Sequence, residues 1–388
     1  WMEVILSSIT NSTSLTINIF EIEELMRKLA TIRTIANIKP IPNADRIEVA
    51  QIDGWEVIIS KSDNFSQGDK VVYIEIDSKM PKTPEYDFLK SRQYVVKTIK
   101  LRGQVSQGLV LPLAVLPPGD YKIGDDVTEI LGVTKYDPEA EQENAVVSEN
   151  KKKSRNPIIK FLIRFKWFRK IYLKPSVKDT FPNWIKKTDE ERIQNMTRLF
   201  EKLKRDKTVL SVTEKVDGTS ATFFLKKVGK NKYEFGVCSR NKRLVTEDNS
   251  YYWNVARKFK IKETLQTLIG GLDWIVLQGE ITGEGIQGNK YPMEGCERFW
   301  AFNLISPEGK LTTEEMQRTL LHYGIYIVPI FDDKFVIPED WKISDLVHYV
   351  QGKSQIYPRE REGCVFRNVE QNISFKCINP EFLIKNDL

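Results

Sequence analysis

Histidine and cysteine are scarce in this chain. Two histidines in 388 residues, His322 and His348, exclude a histidine-rich metal site and leave room for at most one histidine-based triad. Four cysteines, Cys238, Cys296, Cys364 and Cys377, form no C-x-x-C pair, so neither a zinc ribbon nor a disulfide framework is indicated. No run of about 18 apolar residues is present, which removes a membrane-spanning helix. The first twenty residues lack a basic start and lead into Glu21-Ile22-Glu23-Glu24, unlike a secretory signal. An intracellular protein with no membrane partner is expected, working as a monomer. Against these absences stand 41% hydrophobic and 29% charged residues, the balance of an ordinary globular chain. Chemistry here has to run on amines, carboxylates and added metal ions.

The net charge of +6 is unevenly spread. Residues 136–150 hold five acidic residues and no basic one, whereas residues 151–174 hold ten basic residues and no acidic one. Setting that segment aside leaves the remainder near −4, so the positive charge is local and suits an anionic polymer. Between Ile158 and Leu173 aromatic and aliphatic residues interleave with lysine and arginine. That pattern fits a basic amphipathic helix on phosphates, an inter-domain helix with solvated lysines, or a membrane-surface helix.

Residues 28–130 read as short strands punctuated by turn signals, the pattern of a small barrel of the OB type. The runs are Leu29 to Ile38, Arg46 to Ile52, Trp55 to Ser60, Val71 to Asp77, Tyr94 to Leu101 and Val105 to Leu111, with Asp53-Gly54 as a tight hairpin. Residues 181–388 mix strands and helices in an α+β layout dominated by antiparallel strands. There, Thr188 and Glu191 have capping-box spacing for a helix through Arg205, and one helix is expected from Tyr251 to Leu268. The expected domains are a tail at 1–27, the barrel at 28–130, a linker at 131–180 and a larger domain at 181–388.

The chemistry-bearing signal starts at Glu214-Lys215-Val216-Asp217-Gly218-Thr219, between two strand-like runs. A lysine at a strand end presents its amine at a cleft mouth, Gly218 allows close backbone approach, and a desolvated lysine near cations loses its proton more readily. Chance alone would give K-x-D-G in roughly one chain in ten of this length. The order of the segments downstream of it is more specific: Ser239-Arg240-Asn241, Gly279-Glu280 leading into the 283–288 glycine-rich stretch, Phe299-Trp300-Ala301-Phe302, Glu362-Gly363-Cys364-Val365 and Ser374-Phe375-Lys376. This series resembles the motifs of the covalent nucleotidyltransferase superfamily, the ATP-dependent ligases and mRNA capping enzymes. With the barrel-like region placed first, with Phe181-Pro182, TDEERIQN at 188–195 and IKLRGQVSQGLVLPL at 99–113, the chain resembles the Deinococcus-type RNA ligases.

The resemblance implies an N-terminal OB-type β-barrel followed by an adenylyltransferase domain of antiparallel sheets with flanking helices. It implies an ATP-dependent RNA ligase using Mg²⁺ or Mn²⁺, joining RNA 3′-hydroxyl and 5′-phosphate ends through lysyl-AMP. By the same resemblance Lys215 is the nucleophile, with Asp217 and Gly218 in the nucleotide site. Arg192 binds phosphate or orders the site, Arg240 contacts the 5′-phosphate or ribose, and Glu280 takes the ribose hydroxyls. Phe302 stacks on adenine, Glu362 holds a metal ion through waters, and Lys376 binds the α-phosphate. Two positions depart from the pattern. Ser374 and Ile378 flank Lys376 where a second lysine is common, and Asn303 stands where an acidic residue often follows the stacking aromatic.

Plainer readings stand beside these. Arg192 also suits an ion pair with Glu191, one of Trp300 and Phe302 suits plain core packing, and Lys97, Lys100 and Arg102 suit either RNA phosphates or a solvated strand edge. A non-catalytic RNA-binding protein with a decayed ligase domain, and an atypical DNA ligase, are the competing functions.

Overall fold

The computed structural model describes residues 28–136 and 178–386, apart from 231, 246, 248–249, 284–285 and 287–296. The basic segment 151–174, the acidic run before it and most of the 283–288 stretch therefore lie outside the described residues. The chain divides into two compact units. The first takes in residues 28–52, Val57–Lys97 and 107–136, while Asp53–Glu56 and Thr98–Ser106 belong to the second.

The first unit is built from short antiparallel strands. Ala30–Thr34 and Leu109–Pro112 flank Lys70–Ile74, and Asn37–Pro40, Ile47–Ile52 and Trp55–Ser60 form a meander. Along Trp55–Ser60 burial alternates residue by residue, so the apolar set faces one side. The tight turn at Asp53 has φ +51°, the left-handed geometry that aspartate tolerates. Two long strands expected from sequence are broken. Leu29 to Ile38 divides at Ile35, whose N–H turns to the Asp69 carbonyl, and Tyr94 to Leu101 divides between Val95–Val96 and Ile99–Leu101. Hydrophobic runs alone do not mark where backbone partners change.

Two antiparallel sheets make the second unit. The larger has the order Lys178–Thr180, Lys242–Leu244, Lys232–Cys238, Thr219–Gly229, Trp274–Thr282, Arg298–Ser306, Gly309–Lys310, with Tyr326–Ile327 added parallel to Arg298–Ser306. The smaller has the order Ile330–Phe335, Leu210–Lys215, Gly363–Asn368, Ile373–Ile378. Helices Tyr251–Lys258, Ile261–Leu268 and Thr313–Leu321 pack one face of the larger sheet through Val255, Leu265, Met316 and Leu320 against Phe223, Leu277 and Phe299. Helices Thr197–Arg205 and Ile343–Tyr349 cover the smaller sheet through Phe200, Leu203 and Leu346. The opposite faces of the two sheets carry the polar residues of the motif series.

Helix boundaries correct two expectations. Thr188 caps no helix: its hydroxyl lies 2.9 Å from Ser220 Oγ, and the helix begins only at Thr197 after a short 3₁₀ turn, Ile193–Asn195. Glu191 instead accepts from the Arg192 N–H and Asn195 Nδ2. The single helix expected from Tyr251 to Leu268 is two, because Lys260 adopts φ +49° and breaks the ladder. A complete capping box does occur at Thr312 and Glu315, opening Thr313–Leu321.

Candidate active site

Lys215 closes strand Leu210–Lys215, and its neighbour across the ladder is Gly363. That pairing places the preceding residue, Glu362, beside the lysine, with Nζ 2.7 Å from Glu362 Oε2. Gly363 has φ +152°, and a Cβ there would lie 2.2 Å from the Cys377 carbonyl, so a glycine is required for the carboxylate to enter at this point. Asn379, fully buried, fixes the same backbone from behind. Its N–H donates to the Glu362 carbonyl at 2.8 Å and its Nδ2 to the Arg361 carbonyl at 3.0 Å.

Three carboxylates act on Lys215. Burial favours the neutral amine, but Glu362, Glu280 and Asp217 together outweigh it and hold the lysine above its ordinary range. Glu280 shows the converse. Burial is the largest influence and pushes its carboxyl up to about 8, with Lys215 and Arg240 pulling it back and Glu362 and Asp217 adding repulsion. Gly218 lets the Asp217 turn close onto this strand: a Cβ there would meet the Ile281 carbonyl at 2.3 Å. Its tight neighbour is thus protein backbone, a packing reason for the glycine beyond the one anticipated from sequence.

The segment before the domain's first helix crosses the larger sheet. Gln278 Nε2 donates to the Lys186 carbonyl, Trp184 packs edge-on to Phe224 at 5.4 Å, and Asp189 Oδ1 receives Arg240 at 2.6 Å. Arg240 is thereby held near Glu280. Arg192 lies in a bridge with Lys376, whose N–H donates to the Glu191 carbonyl. The Arg192 guanidinium lies 6.0 Å over the Trp55 ring and within reach of Cys377. Lys376 pairs with Val365, and strand alternation places it on the same face as Lys215.

A β-bulge sets the aromatic wall. Gln278 pairs with Asn303 but Gly279 pairs with Ala301, leaving Phe302 as the extra residue. Ala301 and Leu304 both face the helices, so Phe302 and Asn303 both turn to the cleft side. Phe302 and Trp300 pack with Val216, Val328, Ile356 and Tyr357. Lys100 is ion-paired to Glu381 at 2.7 Å, Arg102 lies at an exposed turn with φ +52°, and Lys97 is half-buried in the first unit.

An OB-fold domain family matches residues 29–113, and the RNA ligase family matches residues 208–385. Three solved structures of Naegleria gruberi RNA ligase are similar along nearly the whole chain. A mutant with ATP and Mn is 32% identical with a TM-score of 0.73, covering 93% of this chain and 100% of that one. A mutant with AMP and Mn has the same identity and coverage at a TM-score of 0.72. The structure with PPi is 33% identical at 0.72, covering 93% and 99%. This chain belongs to the RNA ligase family. The ligase also matches the Prochlorococcus marinus phenylalanine–tRNA ligase beta subunit, 32% identical over 108 residues, which is 26% of this chain and only 12% of that relative's length.

The N-terminal OB-fold and the following antiparallel ligase domain agree with the α+β architecture expected from sequence. No described helix is long and apolar enough to cross a membrane. Among the described residues no three His, Cys, Asp or Glu side chains converge as metal ligands. The carboxylates gathered around Lys215, Glu362, Glu280 and Asp217, are hard oxygen donors of the kind that meets a divalent ion through its waters. Glu280 is held up to about 8 chiefly by burial, and Glu362 is paired with Lys215 at 2.7 Å.

Sequence reasoning missed several residues of the ligase's site. Glu214, next to the lysine, is buried and accepts from Ser354 Oγ at 2.5 Å and the Gln355 N–H at 2.8 Å, tethering the loop that brings Ile356 and Tyr357 to the Phe302 wall. Arg367 is buried 6.0 Å over Phe302, donating to Thr213 Oγ1 and paired with Glu190 at 3.6 Å. Lys310, nearby, is pushed down to about 8 by burial, Arg367 and Lys186. The adjacency of Glu214 to Lys215 was visible in the sequence; the approach of Lys310 to Arg367, and the placement of Asn379 behind Glu362, were not, because they depend on strands distant in the chain.

Proposed function

We propose that this protein seals RNA 3′-hydroxyl and 5′-phosphate ends at breaks in duplex RNA or RNA–DNA hybrid, drawing its energy from ATP. The single observation that carries the reading is Lys215 Nζ at 2.7 Å from Glu362, with Glu280 and Asp217 in electrostatic reach. Lys215 gives up its proton and its amine attacks the α-phosphorus of ATP. The bond to the β-phosphate bridging oxygen breaks and pyrophosphate leaves. The RNA 5′-phosphate then displaces Lys215, taking up AMP, and the 3′-hydroxyl displaces AMP in turn to form the phosphodiester.

In the unliganded protein the carboxylates oppose loss of the lysine proton. With nucleotide bound, Glu280 would bond the ribose hydroxyls and Glu362 would hold a hydrated cation that supplies positive charge, so both would release their hold on Lys215 and burial would then favour the neutral amine. Mg²⁺ or Mn²⁺, when bound, neutralises phosphate charge. Phe302 stacks on adenine, Asp217 and Gly218 shape the nucleotide turn, and Lys376 meets the α-phosphate. Arg240, steadied by Asp189, meets the 5′-phosphate or ribose. Arg192 orders the site through its bridge to Lys376. Lys97, Lys100 and Arg102 contact RNA phosphates, Lys100 once released from Glu381. We assign 28–130 to the OB-fold domain, 131–180 to a linker after the tail 1–27, and 181–388 to adenylyl transfer. The order of domains and motifs fits the Deinococcus-type branch.

The test is to incubate the protein with [α-³²P]ATP and Mg²⁺ or Mn²⁺, after removing pre-bound AMP, and to look for label on the denatured chain beside Lys215→Ala. Label in the wild type alone is expected, followed by joining of nicked RNA. No label with ATP would overturn adenylyl transfer and leave an RNA-binding protein. Equal sealing of nicks with 3′-deoxyribose would favour a DNA ligase.

A further inference from the structure

One face of the larger sheet carries a continuous cross-strand row, Ser220, Glu280, Trp300, Tyr326, each paired directly with the next. Side chains at directly paired positions lie on the same face, about 5 Å apart between Cβ atoms. The row therefore starts in the carboxylate group around Lys215 and ends two strands away, about 10 Å beyond Glu280. Its character changes along the way from polar to aromatic. Trp300 packs beside Val216, immediately after the nucleophile, and its indole N–H is satisfied by Thr282 Oγ1 at 3.1 Å, so its ring is held in a fixed plane. Tyr326 lies 6.4 Å from it, tilted 47°, and is 60% exposed.

We propose that Trp300 and Tyr326 form a stacking shelf for a nucleobase of the RNA substrate next to the join. The inference rests on reading the Lys215 cleft as the adenylyl-transfer site. Two observations and one general property of base stacking favour RNA as the occupant. The shelf is continuous through Glu280 with the nucleotide cleft, so a polynucleotide end presented to Lys215 lies within reach of it. Base stacking on exposed aromatics is sequence-tolerant, which suits an enzyme that joins ends of any sequence. Arg359, exposed and 5.8 Å over the Tyr357 ring, lies on the loop that packs with Trp300 and supplies charge for the backbone of the same strand. Tyr326 also borders, at the edge of the sheet, a groove of about 260 Å³ shared with Val328 and with Gln317 and Leu321 of the helix on the other face, so no neighbouring strand covers its ring on that side.

The test separates the steps. Protein carrying AMP on Lys215 is mixed with a nicked RNA duplex bearing a 5′-phosphate, and the single-turnover rate is followed against RNA concentration, for wild type, Tyr326→Ala, Tyr326→Leu and Tyr326→Phe. Binding of the same fluorescein-labelled duplex is read by anisotropy. Tyr326→Ala and Tyr326→Leu should raise the half-saturating RNA concentration on the order of tenfold, while Tyr326→Phe stays close to wild type. Lysyl-AMP formation from ATP should be unaltered in all three. Unchanged RNA saturation in Tyr326→Ala, rescue by leucine equal to that by phenylalanine, or a loss already present in lysyl-AMP formation would each overturn the shelf. Absence of lysyl-AMP in the wild type would instead overturn the ligase reading, and the anisotropy arm would still decide whether Tyr326 binds RNA.

Discussion

Glu362→Gln should push two properties of Lys215 in opposite directions. The substitution keeps the side chain's shape and removes its charge, and that charge is the largest of the three carboxylate influences holding the lysine proton. Two unit charges about 4 Å apart attract by about 4 kcal/mol at an effective dielectric constant of 20. Lys215 and Glu362 are 29% and 14% exposed, so solvent screening leaves about 1–2 kcal/mol of this as differential stabilisation of the charged amine. Its loss raises the neutral fraction of Lys215 about 5- to 30-fold at pH values below the lysine's titration. The assay is the rate of amidination of Lys215 by a small imidate at pH 8, without nucleotide or divalent ion, followed by mass spectrometry of the Lys215 peptide with surface lysines as internal references. Lys215 should react several-fold faster in Glu362→Gln while the reference lysines do not change. Lysyl-AMP formation from ATP should fall at least tenfold in the same variant, because the carboxylate proposed to hold the hydrated cation is gone. Equal or slower amidination in the variant would refute the electrostatic argument.

Glu280 carries a pH prediction. Its carboxyl is raised from the ordinary range to about 8, so the stability it contributes is full below about pH 4.5 and is lost as pH rises towards 8. In urea titrations of the unliganded protein, Glu280→Gln should therefore gain on wild type steadily between pH 5 and 8 and level off above; a constant difference across that range would contradict the raised carboxyl. Glu214→Ala removes the acceptor for both Ser354 Oγ and the Gln355 N–H. The loss should cost about 2–4 kcal/mol and raise the KM for ATP through the Ile356–Tyr357 wall, with Glu214→Gln recovering much of both; thermal melting and steady-state kinetics check it, and a fully stable alanine variant would refute the tether.

The second unit shows where sequence reading succeeds and where it stops. Strands such as Trp274–Thr282 and Gly363–Asn368 were legible because continuous apolar runs with a terminal carboxylate are local features. The break at Lys260 was not, since the 3.6-residue period runs through it and only the positive φ ends the first helix. Thr188 and Glu191 satisfied a local capping pattern, yet a distant partner, Ser220, took Thr188, while Glu191 bonded locally to the Arg192 N–H and Asn195 instead. At Phe302 the alternation of the strand gave the right face for Trp300 and Phe302, but only the bulge puts Asn303 on that face as well.

By itself the sequence determined the order of elements, the α+β class and the identities in the motif series, because these depend on local periodicity and on residue types fixed in the chain. Tertiary structure decided what acts on what. The distance from Lys215 to Glu362 spans 147 positions and is set by the pairing of two strands. The raised carboxyl of Glu280 comes from burial and from charges on three other segments. Nor does the row from Ser220 to Tyr326 exist until four strands align. Register and burial are collective outcomes of packing, and a residue's charge state follows from them rather than from its neighbours in the chain.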